Sequence, residues 1–159
     1  MVSYDVINEL AIFKDFSNRE KKAFAKMDHI MLNFRKGDLL LRQNEHSDDL
    51  FLLLQGTCLV TRSDGGETIR LAKLDAGELF GEMSMASMPR TTNVEARSDV
   101  LVLKMDSAFF EKVHQKMANK IHKYIIELLC SRLDRMNAAV VRIHPKLPDR
   151  RPKAKRPAT

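Results

Sequence analysis

With 159 residues, 44% of them hydrophobic, and no run of eighteen apolar residues, the chain can bury one ordinary core and has no segment suited to cross a membrane as a helix. Of the formal net charge of +6, +5 falls in residues 145–159, "PKLPDRRPKAKRPAT", so the body of the chain is nearly neutral and offers no basic surface of its own to a nucleic acid. The opening "MVSYDVINEL" lacks a basic start followed by an apolar block, and Cys58 and Cys130 form no CxxC pair, so the expectation is a reduced, cytoplasmic protein with two buried thiols and no secretory leader.

The first thirty residues carry a helical period. In "SNREKKAFAKM", Ser17 or Asn18 is the expected N-cap, and Phe24 and Met27 share a face. From Phe34 the period changes. "GDLLL", "DDLFLLLQG", "TCLVTR", "ETIRLAKL" and "DVLVLKM" read as strands, divided by turn formers at Gly37-Asp38, Asn44 to Asp49, Asp64-Gly65-Gly66 and Asp75 to Gly77. Ser63 to Gly66, between two alternating runs, predicts a hairpin. Short strands this closely spaced predict a small sandwich or barrel, not a parallel sheet with helical crossovers.

After Lys104 the helical period returns. Asp106 is placed to cap "SAFFEKVHQKM", and a last helix is predicted from about Asn119 to Ile143. Along it Ile126, Leu129, Leu133, Met136, Val140 and Ile143 recur at alternating three- and four-residue spacings, a heptad seam that serves either a homodimer through 126–143 or packing on the helix's own domain. Pro145 stops the helix because it has no N–H to donate. The expected organisation is one domain over 1–143 and a basic, Pro-rich, disordered tail over 144–159, either a solubilising end or a loose contact with an acidic partner or nucleic acid.

The densest chemistry lies in "FGEMSMASMPRTTNVEA", Phe80 to Ala96. Gly81 permits an unusual φ or a close backbone approach. Glu82 to Ser87 can form a turn or two of helix before Pro89, and its leading N–H groups favour an anion. Arg90 adds a fork matched to phosphate oxygens, and Thr91 adds a hydroxyl and an N–H. A carboxylate at Glu82 repels an anion, yet it accepts from hydroxyl groups, so acid and arginine together suit a ligand presenting a phosphate beside a ribose. The competing reading, a surface ion pair of Glu82 and Arg90, would contribute little. The methionines Met83, Met85 and Met88 read as packing. The histidines His29, His46, His114, His122 and His144 show no metal spacing, which argues against a metal-dependent enzyme on a β-barrel.

"LAKLDAGELFGEMSMASMPRTTNVEA", Leu71 to Ala96, resembles the phosphate-binding cassette of cyclic nucleotide-binding domains, and "FRKGDLLLRQNEHSDDLFLLLQGTCLV" resembles that family's first strands, with Gly37 and Gly56 at its turns. The resemblance covers roughly residues 8–143. It implies a mainly β fold, a double-stranded β-helix or jelly-roll β-roll, with an N-terminal helix and two C-terminal helices. It further implies that Gly81 and Glu82 meet the ribose 2′-hydroxyl and that Met83 contributes backbone. Arg90 would pair with the exocyclic phosphate oxygens, helped by Thr91 and the N–H groups around Ser84. Val60, Leu71 and Ala72 would border sugar or base, and Arg132, Met136 and Asn137 on the last helix would reach the base or the cassette. Three departures stand out: Glu82 to Arg90 is one residue shorter than the familiar form, Asn44 stands where glycine is common, and "RTTN" replaces small apolar residues after the arginine. The Thr91 hydroxyl could favour the amino group of a guanine.

The resulting expectation is a sensor of cAMP, or of cGMP, with no catalysis and no cofactor beyond that ligand. Binding would move the last helix and act through an unknown effector protein, self-association or the tail. The chain ends soon after the seam, without a winged-helix reader, so no specific DNA binding is expected. The alternative is a scaffold or interaction protein that keeps the fold without the ligand.

Overall fold

Ser17, not Asn18, starts the second helix of the chain. Its hydroxyl accepts from the Glu20 N–H while the Glu20 carboxylate accepts from the Ser17 N–H at 2.7 Å, a complete capping box. This helix, α2 (Asn18–Ala25), follows α1 (Tyr4–Glu9) and a short 3-10 turn (Ala11–Phe13). It ends at Ala25, so Met27 lies beyond it, and the buried residues of the helix are Phe24 and Lys21. The computed structural model describes residues 2–143, and the chain divides into two compact units between Tyr124 and Ile125. The expected disordered tail and the stop at Pro145 lie outside the described residues.

Glu20 ties this corner to the start of the last helix, α4 (Gln115–Ile143), through Lys120 Nζ at 2.7 Å. The Lys120 ammonium and the Ser17 N–H hold the Glu20 carboxyl down, from 4.5 to about 2. A depressed carboxylate stabilises the fold above its unfolded value and loses that contribution as pH falls between 4.5 and about 2. Its side chain is 21% exposed, so water screens part of the effect. Glu20→Ala is expected to cost about 1–2 kcal/mol at neutral pH and to flatten the acid limb of a stability–pH curve. An unchanged acid limb in denaturant titrations would contradict this.

Eight strands follow: β1 (Ile30–Phe34), β2 (Leu39–Leu41), β3 (Leu50–Gln55), β4 (Thr57–Asp64), β5 (Glu67–Asp75), β6 (Leu79–Phe80), β7 (Asn93–Ala96) and β8 (Val100–Met105). They form two antiparallel sheets, ordered β1-β8-β3-β6 and β2-β7-β4-β5. Between the sheets lie Leu40, Leu41, Phe51, Leu53, Val94 and Val102, with Cys58 among them. Burial pushes the Cys58 thiol up to about 11, which leaves it an inert core side chain. The fold is mainly β with flanking helices, as expected. The hairpin forms where the sequence places it, with Asp64 opposite Glu67 and both Gly65 and Gly66 at positive φ (57° and 88°), the geometry of a two-residue type I′ turn.

The predicted "SAFFEKVHQKM" helix divides in two. Asp106 caps α3 (Ser107–Lys112) through a bond from the Phe109 N–H, but Val113 is extended and buried, and α4 begins at Gln115, ahead of the expected Asn119. An edge-to-face chain of Phe13, Phe16, Phe24 and Phe109 joins the N-terminal helices to α3. In the second unit, α4 from Ile125 onward carries the heptad positions exposed, from 40% at Leu129 to 79% at Ile143. Cys130 is exposed as well, which corrects the expectation of two buried thiols.

Candidate functional site

Strand β3 pairs with β6 in a register that sets Phe51 opposite Phe80, so the loop entering β3 and the segment leaving β6 run side by side. Gly81 leaves β6 at φ 90°, and Glu82–Ala86 forms a short 3-10 helix, within the turn or two expected. A side chain at Gly81 would come within 2.8 Å of the Asp49 carbonyl oxygen and 3.3 Å of Arg90 Nη1. The approach that requires glycine here is therefore made by the protein's own backbone. Ser84 is buried, its hydroxyl donating to the Gly81 carbonyl, while Glu82 and Met83 are half-buried. Met85 and Met88 are 43% and 46% exposed, which corrects their reading as packing residues.

Arg90 is only 3% exposed. Its guanidinium donates from Nη1 to the Gly81 carbonyl at 2.6 Å, and from Nη2 to Ser47 Oγ at 2.6 Å and to the Asp49 carbonyl. The Nε–H is buried without an acceptor among the described residues. This excludes the surface ion-pair reading. Arg90 also fastens Gly81 to the loop before β3 in the empty protein. Burial pushes the guanidinium down from its ordinary value, while Asp49, Glu82 and Asp48 pull it back up. The side chain stays cationic, since a guanidinium does not deprotonate in proteins.

The loop itself is pinned on both sides. Asn44 N–H donates to the Arg90 carbonyl at 2.8 Å and Arg90 N–H to the Glu45 carbonyl at 2.9 Å. Asn44 adopts φ 70°, the left-handed conformation that asparagine tolerates where glycine is common. The Gln43 side chain bridges Ser63, accepting from its N–H at 2.8 Å and donating to its carbonyl at 3.0 Å. Two acids of the loop face away from the arginine fork: Asp49 Oδ1 takes Lys104 Nζ at 2.6 Å, and Asp48 Oδ2 accepts from Ser107 Oγ at 2.8 Å. Asp49 raises the Lys104 ammonium above its ordinary value, and the Ser107 hydroxyl lowers the Asp48 carboxyl. With both acids bonded to other groups, the loop's direct hydrogen bonds to Arg90 come from a carbonyl and a hydroxyl and not from a carboxylate, although Asp49, Glu82 and Asp48 lie near enough to stabilise its charge.

Lys104 is thus an indirect determinant of the site. Lys104→Met leaves a three-quarters-buried Asp49 carboxylate without its cation, and Arg90 is the remaining cation near it. We expect stability to fall by about 1–3 kcal/mol and affinity for an anionic ligand to fall about three- to tenfold. Urea melts and anion titrations check both, and an unchanged anion affinity would contradict the assigned role.

The other expected site residues are divided. Thr91 is exposed beside Arg90. Val60 and Ala72 are paired across β4 and β5, Val60 half-buried against the core and Ala72 exposed, with Leu71 next to it 52% exposed at the irregularity in that ladder. Leu71 and Ala72 thus offer apolar surface to solvent on an edge strand. Arg132, Met136 and Asn137 belong to α4 in the second unit, where Met136 is 66% exposed. Sequence reasoning missed Ser47, Asp49 and Lys104. A groove of about 280 Å³ lined by Asn33, Phe34, Arg35, Gln55, Asp99, Val100 and Leu101 contains none of the expected residues and presents no comparable buried cation.

A family model described as "Cyclic nucleotide-binding domain" matches residues 31–117. Over 110 residues the chain is 24% identical to the cAMP-dependent protein kinase regulatory subunit of Debaryomyces hansenii, a match covering 69% of this chain and 24% of that protein. It is 30% identical over 96 residues to the cGMP-dependent protein kinase egl-4 of Caenorhabditis briggsae, covering 60% of this chain and 12% of the kinase. The chain therefore spans a quarter or less of the length of these relatives. Its fold is similar to that of a cyclic nucleotide-binding domain from Methylobacillus flagellatus, with a TM-score of 0.76, 23% identity, and coverage of 91% of this chain and 83% of the other. The matched residues include strands of both sheets and the whole Gly81–Thr91 cassette around the buried Arg90, and the chain belongs to the cyclic nucleotide-binding domain family.

Proposed function

We propose that this chain is a cyclic-nucleotide sensor module, taking cAMP or cGMP at the Gly81–Thr91 cassette and acting without catalysis of its own. The observation that carries this reading is the buried Arg90, a cation with an unused Nε–H and with the loop acids turned to Lys104 and Ser107. On this reading a cyclic phosphate takes the guanidinium, Glu82 and the Gly81 backbone take the ribose 2′-hydroxyl, and Met83, Ser84 and Thr91 line the phosphate. The exposed apolar surface of Leu71 and Ala72, with Val60 beside it, receives the base. Helix α4, with Arg132, Met136 and Asn137, responds to the ligand and passes the signal to an effector protein or to self-association.

One observation favours the second reading, a scaffold that keeps the fold without the ligand: three protein oxygens already occupy the guanidinium. Calorimetric titration of the purified protein with cAMP, cGMP and a cyclic dinucleotide separates the two. Saturable binding of cAMP or cGMP is expected, and the absence of heat with all three at high concentration would leave the scaffold reading.

The seam gives a separate expectation. Ile126, Leu133, Met136 and Val140 are each more than half exposed, an apolar stripe suited to a second copy in a parallel homodimer. Leu133→Glu would place a charge at the centre of such an interface and give monomers. Sedimentation that finds the unmodified protein monomeric at high concentration would contradict the dimer.

A further inference from the structure

We infer that Ser47 is an exchangeable latch on Arg90: its hydroxyl occupies the Nη2 donor in the ligand-free protein and must leave before an anion can take the guanidinium. The inference rests on the cyclic-nucleotide reading for the identity of the anion, but the latch itself is a contact within the empty protein.

Arg90 has three acceptors, and they are not equivalent. Gly81 and Asp49 contribute main-chain carbonyls, held by a left-handed turn and by the entry to β3. Neither oxygen can withdraw without moving the backbone at the start of β3 or the end of β6. Ser47 contributes a side-chain oxygen on an exposed loop residue, which also accepts a long bond of 3.4 Å from the Asp49 N–H and can leave by rotation about a single bond. Bidentate recognition of a phosphate needs two adjacent N–H groups of the fork. The Nε–H is already without an acceptor, and Nη2 lies on the same side of the guanidinium. Nη2 already donates to two oxygens, those of Ser47 and Asp49. An anion that uses the Nε and Nη2 pair therefore displaces the hydroxyl, the one acceptor free to go.

The hydroxyl thus competes with the ligand. Removing it withdraws a stabilising contact from the empty state only, and binding should tighten. A purely structural residue would behave in the opposite way, since loosening Arg90 would weaken binding. Ser47 is exposed and lies outside the Leu71 to Ala96 segment, so the variants are expected to fold.

The test compares the full-length protein with Ser47→Ala and Ser47→Thr. Titration with cAMP and with cGMP should show Ser47→Ala binding about three- to tenfold more tightly than the unmodified protein, with Ser47→Thr, which restores a hydroxyl, returning to the weaker affinity. Equal or weaker binding by Ser47→Ala would overturn the latch. Should neither the unmodified protein nor Ser47→Ala bind either nucleotide, the cyclic-nucleotide reading is what fails. The latch is then decided by nitrogen-detected NMR of the Arg90 guanidinium in the ligand-free protein. Faster exchange of its Nη hydrogens in Ser47→Ala, reversed in Ser47→Thr, supports the latch; identical exchange in all three proteins overturns it.

Discussion

Arg90→Ala should lower affinity for a cyclic nucleotide roughly tenfold to several hundredfold, the loss of a charged hydrogen-bond partner worth about 1.5–3 kcal/mol or more. It should also lower the melting temperature of the ligand-free protein, by about 5–10 °C. The second effect follows from the empty structure. The side chain is 3% exposed and joins Gly81, Ser47 and Asp49, so its removal takes the guanidinium donor from the Asp49 carbonyl, leaves the Gly81 carbonyl to Ser84 alone, and opens a cavity between the β3 entry and the cassette. Scanning calorimetry on the empty protein and isothermal titration with the ligand read the two effects independently. A melt identical to that of the unmodified protein would show that the guanidinium does not hold the loop, and an unchanged affinity would remove it from the binding site.

Gly81→Ala should be at least as damaging. The position combines φ 90° with an ideal Cβ site 2.8 Å from a main-chain oxygen of Asp49, and neither can relax alone. The left-handed conformation costs a non-glycine residue about 1–2 kcal/mol, and a backbone clash of this kind brings the total to about 2–4 kcal/mol. The shift needed to relieve the clash moves either the loop before β3 or the Arg90 fork, since Arg90 Nη1 lies 3.3 Å from the same Cβ site. Stability and ligand affinity should therefore fall together. Denaturant melts and titrations on Gly81→Ala measure both, and a variant with unmodified stability would show that the Asp49 carbonyl does not constrain the turn.

Much of the architecture is written in local signals. Gly65-Gly66 between alternating runs specifies the hairpin, Ser17 and Glu20 specify a helix start, and Asp106 specifies another. The elements that escape detection are those formed by pairing rather than by pattern. Strand β7 is the four-residue "NVEA", which contains a polar residue at every other position and no turn signal of its own. It is a strand because β2 and β4 bond to it on either side, placing Val94 and Ala96 in the core. Strand β1, "IMLNF", is likewise fixed by five pairings to β8. The break at Val113 has the same origin, since the core claims a β-branched residue that a helical period would have carried through.

At the site, Gly81 and Arg90 are legible because only their residue types suit a left-handed turn and an anion fork. Ser47, Asp49 and Lys104 are not. They come from segments far away in sequence, and the decisive partners of Arg90 include main-chain oxygens, which any residue carries. The role of Arg90 in holding the empty protein together was hidden for that reason. Lys104 reads in sequence as the polar end of a strand and gains its meaning only from the Asp49 carboxylate 2.6 Å away.

The most direct measurement of the proposed function is an amide NMR titration of the unmodified protein with cAMP and with cGMP. Saturable shifts centred on the amides between Gly81 and Thr91, extending to Val60, Leu71 and Ala72, are the predicted result. Saturable binding that leaves the amides between Gly81 and Thr91 unmoved would place the ligand elsewhere, and spectra unchanged by either nucleotide at high concentration would contradict cyclic-nucleotide sensing itself.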